Sequence, residues 1–298
     1  MPRKLRIGII GCKNMGQKHL ACLQSDFADC VRVVGILNSS VESTQKTAKE
    51  LKINPFDGIM DINRRKVDAI IIATPLETHY EIAKQLIDKN IPLLIEKPFA
   101  ETPEQCLELI KIANQNNVPL MVGHLENYNP AVILFKELLT EPIISIAAIR
   151  TSKNKSEKKT HIISELMIHD LAIVYSLMGN EWSEARINKN DKYKWNEHAI
   201  VELKYQSNTI IRLEALRDKN TDIKRQMRII DAKNNIWLIR FAEGELYKNK
   251  ELLCSGNCAL KNELTDFINM VVQKKQSNID AYDALDVVCL CNELENIK

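Results

Sequence analysis

Neither sign of charge dominates this chain: 41 of its 298 residues are Lys or Arg and 39 are Asp or Glu, a formal net charge of +2. That balance supplies no electrostatic footprint for nucleic acid or for an anionic membrane surface. The densest basic stretch, Lys153 to Lys159, has no interleaved aromatic ring and reads as a solvated loop. No apolar run approaches the roughly 20 residues of a membrane-spanning helix, and no leader-like segment precedes the first strand pattern. Disulfide and zinc frameworks are missing too. There are eight cysteines, but they form no pair of C-x-x-C units, and no His stands at zinc-finger spacing from any of them. Reduced, mostly buried thiols in a cytoplasmic protein are the expectation. Internal repeats and low-complexity segments are also absent. At 45% hydrophobic and 27% charged residues, the chain reads as globular and long enough for two domains.

What is present is an alternation. Strand patterns at 5–10, 32–37, 67–73, 91–96 and 118–123 are separated by helical patterns at 15–25, 41–51, 78–89 and 103–116. This predicts a Rossmann-type α/β domain over residues 1–123, a doubly wound parallel sheet with right-handed crossovers. After Gly123 the pattern changes. A helix at 130–139, a strand at 143–150 and an apolar helix at 162–178 precede strands at 199–205, 209–216, 225–231 and 236–241, then helices at 260–274 and 281–297. Residues 124–298 therefore read as an α+β domain with a large mixed or antiparallel sheet. Its open face is the expected interface of a homodimer or homotetramer, since a large open sheet rarely stays bare.

In a doubly wound sheet, ligands bind outside the carboxyl ends of the strands, and that is where the informative residues fall. The first strand runs into Gly11-Cys12-Lys13-Asn14-Met15-Gly16, a G-x-G-x-x-G turn with Lys13 in the middle. The first glycine makes the turn and the third lets helix pack on strand. The middle one lets backbone approach a pyrophosphate, so Lys13 is a departure. The helix N-terminus at Asn14 and Met15 remains an anion site. Asn38 ends the second strand, where an acidic residue would bind the ribose hydroxyls of NAD; it can still bond a hydroxyl and would not repel a 2′-phosphate. NAD and NADP both stay open. Thr74-Pro75, with His79 after it, ends the third strand as a turn former or as a contact to the cofactor.

The fourth strand ends in Glu96-Lys97-Pro98, either an aimed ammonium at the crevice or a surface lysine. His124 follows the fifth strand. Tyr128 and Asn129 come next, with Asn129 before Pro130 also readable as a helix cap. Arg150 could meet a diphosphate. Glu165 and His169, at i and i+4 of an apolar helix, would share a face as a structural pair or a reactive one. His19, His161 and His198 lack such context and read as structural or exposed.

Together the G-C-K-N-M-G turn, A-T-P with its His, E-K-P, V-G-H with N-P, and E-L-M-I-H-D resemble the glucose–fructose oxidoreductase / inositol dehydrogenase / MocA-type family of nicotinamide-dependent sugar oxidoreductases. V-G-H-L-E-N-Y-N-P-A-V and E-L-M-I-H-D-L look most like its UDP-N-acetylglucosamine 3-dehydrogenase-like branch. The resemblance implies a cytoplasmic sugar dehydrogenase that uses NAD or NADP, with Lys97, His169 and Glu165 as the catalytic group. His169 would take the alcohol proton and Lys97 would bond the same oxygen. Gly11, Lys13, Asn14, Met15, Gly16, Asn38, Thr74, Pro75, His79, Glu96 and Lys97 would line the cofactor. His124, Tyr128, Asn129, Arg150, Glu165 and His169 would line a sugar or nucleotide-sugar substrate. Members often carry Asp three residues after the histidine, where this chain has Ala172. Lys13, Asn38 and Ala172 motivate the alternative, a non-catalytic or repurposed homologue; a free sugar or polyol is the alternative substrate.

Overall fold

The structure is a computed structural model that describes residues 3–153, 161–188, 193–273, 277 and 280–297. Backbone contacts divide the chain into two units, Met1–His124 with Leu260–Leu285, and Leu125–Ala259 with Asp286–Lys298. In the first, β1 (Leu5–Ile10), α1 (Asn14–Asp26), β2 (Val31–Leu37), α2 (Val41–Leu51), β3 (Ala69–Ile72), α3 (His79–Ile87), β4 (Leu93–Glu96), α4 (Pro103–Gln115) and β5 (Leu120–Gly123) follow one another. The strands form one parallel sheet in the order β2-β1-β3-β4-β5. Every residue of β3 and β4 is buried, as continuous apolar runs require when helices cover both faces. Helix starts follow local chemistry: Ser40 caps α2 and Thr102 caps α4, with Pro103 at its first turn.

The second unit holds α5 (Pro130–Leu138), β6 (Ile143–Ser152), a π-helical turn at Ile163–Met167, α6 (Ile168–Met178), β7 (Trp182–Asn188), β8 (His198–Tyr205), β9 (Ile210–Arg217), β10 (Arg225–Asp231), β11 (Ile236–Arg240), β12 (Glu245–Lys248) and β13 (Glu251–Cys254). They build an eight-stranded sheet ordered β13-β12-β11-β10-β6-β9-β8-β7. Only the β6–β9 pair is parallel, so the sheet is mixed. Its core joins Ile146, Val201, Leu213 and Met227 to Phe135 of α5 and Leu171 of α6. Trp237 is seated there by donating from Nε1 to Asp231 Oδ2 (2.9 Å) and meets Phe135 edge-on. β7, β12 and β13 were not predicted. The last two are four residues long, and no residue of β7 is fully buried, so none carries an apolar alternation.

α7 (Ala259–Gln273) and α8 (Ala281–Glu295) complete the chain. The boundary expected after residue 123 falls after His124, and residues 260–285 return to the first unit instead of completing the second. Lys261 of α7 pairs with Asp26 of α1 (2.9 Å), Asn114 of α4 donates to Tyr282 (3.3 Å), and Leu264, Phe267 and Met270 are buried. Linear order cannot reveal where a returning helix docks. No helix among the described residues is long and apolar enough to cross a membrane.

Candidate active site

The turn after β1 is built by sterics. Gly11 has φ of +88°, and a Cβ there would lie 2.4 Å from the carbonyl oxygen of Ala73. A Cβ on Gly16 would lie 2.2 Å from the Gly11 oxygen, so no side chain fits where α1 crosses the turn. Lys13 is exposed, and its φ of −109° lies outside the left-handed region that favours glycine, so the turn does not call for a middle glycine on that ground. β2 lies on one side of β1 and β3, β4 and β5 on the other, which puts this turn where the strand order reverses. Side chains cap α2, α4 and α5; α1 has neither a side-chain cap nor an acid in its first turn. Its leading N–H groups are thus left to an external anion, and the turn fits a dinucleotide pyrophosphate.

Asn38 serves this turn directly. Cys12 N–H donates to its Oδ1 (2.8 Å), and its Nδ2 donates to Thr47 Oγ1 (3.1 Å) and the Ser43 carbonyl (3.4 Å). Both amide hydrogens are engaged within the protein, so the expected bond from Asn38 to ribose is replaced by a bracing role. A carboxylate would face the Ser43 carbonyl unfavourably, which explains the amide. His79 is likewise internal. Its ring nitrogens lie 2.9 Å from the carbonyl oxygens of Thr74 and Pro98, tying the β3 turn to the β4 turn. The Thr74 hydroxyl accepts from Thr78 (2.8 Å), and Pro75 is exposed.

Glu96 is buried and 2.7 Å from His19 Nε2, so it faces α1 and not a ligand. Lys97, partly exposed, follows it and joins Pro98 through a cis peptide. Burial, with the Lys97 ammonium second, pushes the His124 imidazole down to about 4. His124 is therefore a neutral, buried ring, and the expected substrate contact from it finds no support in its exposure of 2%.

In the second unit, His169 opens α6 in a half-buried position. The preceding turn, which carries Glu165, bonds i to i+5. Glu165 lies 3.2 Å from Arg217 of β9. Arg150 is a correction. It is buried, and its Nε and Nη2 donate to the two oxygens of Asp170 (2.9 Å each) while Nη1 donates to Glu126 (3.0 Å). Its guanidinium carbon also stands 5.0 Å from the centre of the Phe241 ring. A guanidinium so enclosed has no face for a diphosphate. Asn129 is a cap as well, accepting from Ala131 N–H (3.1 Å) and donating to the Phe241 carbonyl (3.0 Å). Tyr128 is buried at its side. Of the Lys153–Lys159 loop, all but Lys153 lies outside the described residues.

His19, read in the sequence as structural or exposed, is buried against Glu96. Glu263 of α7, wholly buried, went unread. A signal for Glu263 was there: it falls on the apolar stripe of Leu260, Leu264 and Phe267, where a carboxyl is out of place.

Because Lys13 is exposed and the flanking Gly11 and Gly16 fix the turn, Lys13→Gly is expected to keep or tighten NADH binding. Fluorescence titration checks this, with NADPH run beside it. A tenfold loss would show instead that the ammonium itself holds the pyrophosphate.

Residues 5–124 match the family model described as "Oxidoreductase family, NAD-binding Rossmann fold", that of the GFO/IDH/MocA proteins. UDP-N-acetylglucosamine 3-dehydrogenase from Acidithiobacillus ferrooxidans is 28% identical over 183 residues, 61% of this chain and 57% of that protein. Inositol 2-dehydrogenase 2 from Saccharopolyspora erythraea is 28% identical over 189 residues, 59% and 55% respectively. The matched stretch thus spans a little over half of each relative. A solved structure of the A. ferrooxidans enzyme superposes with a TM-score of 0.88 at 24% identity, covering 98% of this chain and 97% of that one, which shows a shared fold.

Proposed function

We propose, on the premise that residues 5–124 belong to the GFO/IDH/MocA oxidoreductase family with its NAD-binding Rossmann fold, that this chain transfers a hydride between a secondary alcohol of a sugar and NAD or NADP. The observation that carries the reading is the carboxyl edge of the parallel sheet. An uncapped helix N-terminus behind a sterically fixed glycine turn follows β1, and Lys97 follows β4 of the same sheet. When bound, the nicotinamide would supply the hydride acceptor or donor. His169 takes the hydroxyl proton as general base, and Lys97 donates a hydrogen bond to the same oxygen and offsets its developing charge. Arg217 holds the carboxylate of Glu165, one turn before the base.

The substrate we infer is a sugar nucleotide, a UDP-linked N-acetylhexosamine oxidised at C3. The V-G-H-L-E-N-Y-N-P stretch, the E-L-M-I-H-D-L helix and the named activity of the A. ferrooxidans relative support it. With Arg150 enclosed, the diphosphate must be met by other cations. An inositol dehydrogenase matches at the same identity, which favours a second reading, a free polyol or sugar. Exposed Ile144, Ile210 and Ile236 on the second unit's sheet support assembly as a homodimer or homotetramer.

Turnover of the UDP-sugar should exceed that of the free sugar and of inositol by at least tenfold in kcat/KM, followed by nicotinamide absorbance. Equal or better turnover of the free compounds would reject the nucleotide assignment and keep the oxidoreductase. Failure of both cofactors to bind at millimolar concentration would favour a non-catalytic homologue.

A further inference from the structure

Three buried ionisable groups of the first unit take no part in the chemistry just described. His19 comes from α1, Glu96 ends β4, and Glu263 lies on α7; a ligand atom of each falls within 4.8 Å of the others. His19 Nε2 and Glu96 Oε1 are 2.7 Å apart. Glu263 is 0% exposed, and neither of its carboxyl oxygens has a partner among the described residues. Gly123 marks the gap between the two acids: a Cβ there would lie 3.5 Å from Oε1 of each. A buried carboxylate with no donor is among the costliest arrangements a core can hold, and two side by side cannot both ionise.

A divalent cation would answer that cost. Tetrahedral zinc with bonds near 2.1 Å keeps its ligand atoms roughly 3.4 Å apart, however. The 2.7 Å contact between His19 and Glu96 is a hydrogen bond, too short for two ligands of one ion. A proton answers the cost without that conflict.

We propose that Glu263 is a positioning residue whose acid form donates a hydrogen bond to the Glu96 carboxylate, so that His19 and Glu263 together fix the strand end from which Lys97 follows. Burial, then the Glu96 carboxylate, then Asp266, hold the Glu263 carboxyl well above the usual carboxylate range. Cys22 of α1, whose thiol burial raises first and Glu263 raises a little further, also faces this region, as do Lys97 and Glu96 through their opposite pulls on the neutral His124. The consequence for Lys97 rests on the oxidoreductase reading, whereas the shared proton does not.

The sign of the pH dependence follows from linkage. The folded chain keeps a proton that an unfolded glutamate releases above about pH 4.3, so this group's contribution falls as pH rises toward its folded value. Glu263→Gln carries a permanent N–H donor and escapes that loss. Denaturant unfolding of the full chain from pH 5 to 8 should show the wild-type unfolding constant rising with pH relative to Glu263→Gln, by at most about tenfold per pH unit and levelling where the folded carboxyl ionises. Parallel profiles would overturn the proposal, and so would stoichiometric zinc binding that Glu263→Gln abolishes. Should the Gln variant not fold, carbon-13 spectra of Glu-labelled wild type and Glu295→Gln decide, because burial also raises the Glu295 carboxyl and its signal must be told apart. A glutamic acid still protonated at pH 7 in both supports the shared proton, and its absence refutes it. With turnover as the readout, Glu263→Leu should lower kcat at least tenfold while leaving cofactor Kd in place, and Glu263→Gln should restore most of it. If wild type proves inactive, the stability profile still decides the proton.

Discussion

Lys97→Ala and His169→Ala should each lower kcat by about two orders of magnitude or more while cofactor affinity stays nearly constant. That magnitude is what a positioned acid or base supplies when it acts in the transition state alone. Lys97→Arg is not expected to rescue, because a planar guanidinium does not present a compact ammonium to one oxygen. Steady-state kinetics with an independent cofactor titration separates the terms. A Lys97→Ala enzyme with unchanged kcat and a raised cofactor Kd would reassign the lysine to cofactor binding and remove it from the chemistry. His124 offers a control: its imidazole protonates only near pH 4, so His124→Gln should leave the pH profile of kcat between 5 and 9 unmoved. A shifted limb in that variant would take the base role from His169.

Much of the first unit was legible because its rules are local. Continuous apolar runs marked β3 and β4, Thr102-Pro103 marked the start of α4, and two glycines marked a turn whose sterics require them. The second unit was legible where strands alternate, as in β8 to β10, and lost where they are short or exposed, as in β7, β12 and β13. Site residues followed a different logic. Asn38, His79, Glu96, Asn129 and Arg150 were chosen as polar groups near strand or helix ends, and the structure engages each of them internally. A buried polar side chain and a ligand-binding one look alike in one dimension, because what separates them is the distant partner. Asp170 is 20 residues from Arg150, Glu96 is 77 from His19, and Phe241 is 112 from Asn129. The π turn before α6 is similarly invisible to a period of 3.6 residues, and so is Arg217, the distant partner of Glu165.

Arg150→Met should cost the second unit about 3–5 kcal/mol, the range for breaking a buried ion pair by removing one partner. Arg150 and Asp170 side chains are each only 2% exposed, so solvent screening does little to soften the loss. The packing of the stem is largely kept by Met, and what disappears is the set of donors: two bonds to Asp170 and one to Glu126. Burial already pushes Asp170 above the usual carboxylate range against the pull of Arg150. Without the guanidinium it rises further, and the folded variant takes up a proton that the unfolded chain releases. The deficit of Arg150→Met relative to wild type should therefore be largest near pH 8 and shrink as pH falls toward 4. Adding Asp170→Asn to Arg150→Met should recover part of the loss at pH 8 and little at pH 4.5, since the amide replaces a charge that acid has already removed. Urea unfolding of wild type and the two variants across that range is the measurement. A deficit that does not change with pH would assign the cost to lost packing around Phe241, and unchanged stability in Arg150→Met would mean that the three charges do not hold α6 to β6 at all.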